Sequence, residues 1–113
     1  MEDVIFVSCD ELRKMFNDGK YWQRATNGEF NVVTTDRLAP AARGLPAGTL
    51  SQKKVYFDKR TGEKIAEVHQ YLLPDNSIGG SGMPDPKRLL HDGKVYGVPS
   101  GPEFIRPTGR KKR

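Results

Sequence analysis

His69 and His91 are the side chains of this 113-residue chain best suited to moving protons near neutral pH. His69 lies in "EKIAEVHQYLL" and His91 in "PKRLLHD". If the two converge they form a general acid/base pair. Lys87 or Arg88 would then stabilise a pentacovalent phosphate, the chemistry of a metal-independent ribonuclease centred on His69. Against this stands a plainer reading: a histidine flanked by Val68 and Gln70 on a strand more often packs than reacts. Cys9, at a helix start, could act as a nucleophile, but with no partner histidine placed beside it a small buried thiol is the preferred role. Among Cys9, His69, His91, Asp85 and Asp92 only the neighbours His91 and Asp92 stand close, so neither metal nor cofactor is expected.

The stretch "GGSGMPDPKR", residues 79 to 88, invites a phosphate-cradle reading. The required spacings are missing. Gly19-Lys20 runs into Tyr21, Gly93-Lys94 into Val95, and Gly80-x-Gly82 into Met83-Pro84. Asp85 followed by Pro86 reads instead as a helix cap, and its charge would repel an anion from the helix amides. A looser anion contact through Lys87 and Arg88 stays open.

Two features favour binding over catalysis. "YWQRATNGEF" sets Tyr21, Trp22 and Arg24 on what reads as a hairpin arm, a composition suited to stacking on unpaired bases. The competing role for Trp22 is a core position opposite Val33. The tail supplies the second feature. The chain carries 19 Lys+Arg against 14 Asp+Glu, and the whole excess comes from Arg106, Arg110, Lys111, Lys112 and Arg113. Residues 1–105 are therefore neutral, and residues 106–113 form a basic arm able to give weak, salt-sensitive affinity for nucleic acid or merely to aid solubility.

The elements that must position these residues follow from period and punctuation. "VIFV" predicts a strand. Ser8 and Glu11 predict a capping box, and Leu12, Met15 and Phe16 an amphipathic helix over 9–18 stopped by Gly19. Asn27-Gly28 predicts a hairpin turn, and "DRLAPAARGLPAGTLS" a long loop. A second hairpin turns at Lys59-Arg60-Thr61-Gly62. Its expected register sets Phe57 opposite Ile65 and Asp58 opposite Lys64, because the neighbouring register would oppose Asp58 and Glu63. "PKRLLHD", capped by Asp85 and ended by Gly93, predicts a two-turn helix, and "KVYGV" a closing strand.

The sum is an α+β domain over 1–105: an antiparallel sheet built from two hairpins plus flanking strands, one N-terminal amphipathic helix and one short C-terminal helix. The longest apolar run is Val4-Ile5-Phe6-Val7, far short of a bilayer span, and an acidic start with a single cysteine points to the cytoplasm. "VHQYLLPDNSIGGSGMPDPKRLLHDGKVY" is similar to segments of short bacterial proteins, which implies a compartment and no activity. The expected function is non-enzymatic binding, with nucleic acid as the favoured ligand through Trp22, Arg24, Lys87, Arg88 and the tail. The alternatives are the ribonuclease centred on His69 and a protein-interaction or oligomerising module that uses a sheet edge.

Overall fold

The first helix shows how directly local chemistry sets this structure, a computed structural model that describes residues 3–39, 44–80 and 82–99. Helix α1 runs Cys9–Asp18. The Ser8 hydroxyl accepts from the Glu11 amide and the Glu11 carboxylate accepts from the Ser8 amide, both at 3.1 Å. That reciprocal cap, worth about 1 kcal/mol, lets Leu12 and Phe16 turn inward together, and both are fully buried. Cys9, expected as a buried thiol, is exposed in the first turn, because the capping residues hold that turn at the surface.

Among the described residues six strands form one mixed sheet: β1 Val4–Phe6, β2 Phe30–Leu38, β3 Leu50–Asp58, β4 Lys64–Leu72, β5 Asp85–His91 and β6 Lys94–Gly97. Their spatial order is β1-β6-β5-β4-β3-β2. All neighbours are antiparallel except β1, which lies parallel to β6 with Val4 opposite Val95. The sheet is thus not purely antiparallel. No helix among the described residues is long and apolar enough to cross a membrane.

Two turn signals exchange roles. Asn27-Gly28, expected to turn a hairpin, instead ends a second helix, α2, Tyr21–Thr26. Gly28 takes φ +86°, the left-handed conformation that stops a helix as readily as it turns a hairpin. Tertiary packing decides: Tyr21 buries its ring between Phe16 and Phe30, at centroid distances of 5.9 and 6.4 Å. Any Cβ at Gly19 would run into that same ring. Conversely, the Asp92-Gly93 pair does not end a helix. It turns the β5–β6 hairpin, with φ of 52° and 78° at its two residues.

The short C-terminal helix is therefore absent, and "DPKRLLH" is strand β5. Pro86 is buried opposite Val68 and Leu89 is buried opposite Ala66, while a bulge at Lys87 keeps both pairs on one face. Asp85 caps nothing. Its carboxylate is bound by Arg13 at 2.9 Å and Lys87 at 3.2 Å.

The β3–β4 register matches expectation from Leu50↔Leu72 to Tyr56↔Ala66 and then departs from it. A bulge places Phe57 opposite Lys64, and the Asp58 amide donates to the Glu63 carbonyl at 2.8 Å. The like-charge argument fails because the Asp58 carboxylate turns into the loop and accepts from the Arg60 and Thr61 amides at 2.8 and 2.9 Å. Those amides hold its carboxyl below the usual carboxylate range. The hairpin expected over residues 20–35 is displaced as well. β2 pairs β3 over nine residues, so Asp36–Leu38 and Leu50–Ser51, read as loop, are strand.

The core lies between the helices and one face of the sheet. Phe16, Tyr21, Phe30 and Tyr56 close a ring of four aromatic side chains with neighbouring centroids 5.8 to 6.4 Å apart. Ala66, Val68 and Leu89 floor it.

Candidate nucleic-acid interface

Residues directly opposite one another in a ladder share a face, and alternate residues switch faces. Tyr56, Ala66 and Leu89 carry the helices. The residues between them form the other face, over which no helix lies among the described residues. Ser51, Lys53, Val55 and Phe57 stand there on β3, with Tyr71, His69 and Glu67 opposite the first three on β4. Arg88 follows on β5 opposite Glu67, and Arg37 on β2 opposite Ser51.

His69 is the centre of this face. Its Nε2 lies 2.7 Å from the Ser51 hydroxyl oxygen, and its ring meets the Tyr71 ring edge-on at 4.7 Å and 85°. A serine oxygen against an imidazole is half of a nucleophilic site; the other half is an acid that orients the ring. Asp85, directly opposite His69, is the carboxylate the register offers, and Arg13 and Lys87 hold it instead. Burial alone would raise the Asp85 carboxyl, but Arg13 and Lys87 outweigh it and the net shift is downward.

Glu67 lies beside His69 on the strand and is half-buried. Lys64 Nζ stands 2.7 Å from its carboxylate and Lys53 Nζ 3.9 Å away. Burial again pushes the carboxyl up, and Lys64, Lys53 and Arg88 together carry it below the usual range. Both acids are thus compensated, and on this face Arg37, Lys53, Lys64 and Arg88 stand against Glu67. A Cβ at Gly97, the residue opposite Arg88 on β6, would crowd Val4 Cγ1 at 3.1 Å.

The remaining expected site residues are distributed elsewhere. His91 lies across the sheet from His69: its Nδ1 is 3.0 Å from the Tyr21 hydroxyl, so the two histidines do not converge. Trp22 packs partly buried against the core. Arg24 sits 5.0 Å over both the Tyr21 and Phe30 rings and bonds Glu29 at 3.0 Å, a structural clamp on α2. Arg110, Lys111, Lys112 and Arg113 lie outside the described residues, as does the rest of the 106–113 tail. Ser51, Lys53, Glu67 and Tyr71 were overlooked as site residues, although their odd-numbered alternation with His69 was visible in the sequence.

A second polar row crosses the helix-bearing face. The Gln70 amide donates to Gln52 Oε1 at 2.7 Å and the Gln52 amide to Asp36 at 2.9 Å, with both glutamines buried. It satisfies its own members and ties three strands together. No family model, curated protein or solved structure matches this chain.

Proposed function

We propose that this protein is a non-enzymatic binding module that takes single-stranded nucleic acid on the open face of its sheet. One observation carries the reading: His69 and Tyr71 stand ring to ring on the face over which no helix lies among the described residues, within a field of Lys53, Lys64 and Arg88. Unpaired bases present π faces to aromatic side chains, and their phosphates present one negative charge per nucleotide to the cations around them. Phe57, at the end of the same row, extends the stacking surface. The basic tail adds long-range attraction without sequence preference. The ribonuclease alternative is less well supported, because its acid/base pair is split between the two faces.

The test is fluorescence anisotropy of a labelled single-stranded RNA with the full-length protein. Tyr71→Ala should weaken binding by about tenfold, the stacking value of one base. Lys53→Glu and Arg88→Glu should weaken it further and reduce the salt slope by about 0.7 for each cation removed. Unchanged affinity in all three variants would place binding elsewhere. RNA cleavage lost in His69→Ala would restore the enzymatic reading.

A further inference from the structure

Among the described residues strand β2 is a sheet edge nine residues long, and Asn31 through Leu38 are all exposed. It carries neither lysine nor proline, the residues that commonly block an edge from pairing, and four β-branched residues in a row, Val32 to Thr35. Its hydrogen-bonding phase can be fixed. The Ala39 amide donates to the Thr49 carbonyl at 2.9 Å, which continues the unbroken β2–β3 register. Antiparallel partners alternate between bonded and unbonded pairs. Asn31, Val33, Thr35 and Arg37 therefore bond inward to β3, and Val32, Thr34, Asp36 and Leu38 turn their N–H and C=O groups outward.

We infer that β2 is a self-association edge, on which a second copy of this chain pairs antiparallel with Thr35 on the twofold axis. The neighbouring registers satisfy the backbone and fail on side chains, as does the one that sets Arg37 opposite itself. With Asp36 opposite itself, like charges meet. With Thr34 opposite itself, Val32 faces a carboxylate. With Val33 opposite itself, Asp36 faces Phe30. The Thr35 register sets Val32 against the partner's Leu38, side chains 38% and 71% exposed in one copy. It sets Thr34 against the partner's Asp36. Thr34 Oγ accepts from Lys54 at 3.0 Å, so its own hydrogen can be donated to that carboxylate. Val33, 54% exposed, lies against the partner's Arg37 stem. Every pair off the axis occurs twice, as a closed twofold contact requires. An axis perpendicular to the sheet leaves both helix-free faces on one side, so two copies present one continuous surface. The pairing does not rest on the nucleic-acid reading, and its test contains no nucleic acid.

Sedimentation equilibrium of the full-length protein should give twice the 12.7 kDa chain mass at high concentration. Thr34→Pro removes an outward amide that the chain itself does not use, so it should yield a monomer with an unchanged far-UV spectrum. Leu38→Lys, at an exposed position, provides the same test should the proline variant fail to fold. In a Cys9→Ser background, Thr35→Cys should form a disulfide dimer with oxidised glutathione, since its pair is an unbonded one with Cα atoms about 4.5 Å apart. Thr34→Cys should link far more slowly. A wild-type monomer at all concentrations, or a dimer untouched by both edge variants, would overturn the inference. Faster linking through Thr34→Cys than through Thr35→Cys would overturn the register.

Discussion

Tyr56 contributes a phenol to the four-ring cluster with 1% of its surface exposed, and burial pushes it up to about 12. The folded state favours the neutral phenol. Its stabilisation is full below the unfolded value near 10 and is lost as pH rises from there toward 12. Tyr56→Phe should remove that part of the alkaline loss, about 1.4 kcal/mol between about pH 9 and pH 11, as read from urea unfolding at the two pH values. Glu67 has the opposite sign. Its carboxyl is held down, so its stabilisation is present above about pH 4.3 and is lost as pH falls through the depressed folded value. Glu67→Gln should flatten the acid limb of the stability profile. An acid limb as steep as wild type would show that Lys64 and Lys53 contribute nothing there. Residues with local partners were legible in the sequence, as the Ser8–Glu11 cap demonstrates. Asp58 was not, because its charge is answered by loop amides that no cross-strand pairing rule contains.

The elements turn on two glycines. Gly28 and Gly93 take nearly the same left-handed conformation, at φ 86° and 78°, yet one ends a helix and the other turns a hairpin. Gly28→Ala and Gly93→Ala should therefore each cost about 1 kcal/mol, measurable by denaturant unfolding. Carbon chemical shifts should be helical over Tyr21–Thr26 and extended over Asp85–His91; the reverse pattern would refute the element assignment. What separates the two cases is not in either dipeptide. Tyr21 finds Phe16 and Phe30 only when residues 21–26 are helical, and Pro86 finds Val68 only when residues 85–91 are extended. Those partners are distant in the chain, so local punctuation could not choose between them. The β3–β4 hairpin, whose partners are close, was readable up to its bulge.

At the scale of the whole molecule, charge counted along the chain concealed charge arranged in space. Residues 1–105 sum to zero, a balance that by itself gives no sign of a basic face on the folded body. The sheet nevertheless sorts Lys53, Lys64 and Arg88 onto the face away from the helices, while Asp10, Glu11 and Asp18 stay on α1. Alternation alone sets His69 and Tyr71 on one face. That no helix lies over this face among the described residues followed only from the sheet order and the positions of α1 and α2. The central claim is that this open face binds single-stranded nucleic acid, and its most direct test is an amide footprint. The full-length protein, labelled with nitrogen-15, is titrated with a short single-stranded RNA. Shifts should concentrate at Ser51, Lys53, Glu67, His69, Tyr71 and Arg88, with α1 and α2 unmoved. Shifts confined to residues 106–113, or centred on the helices, would contradict the account.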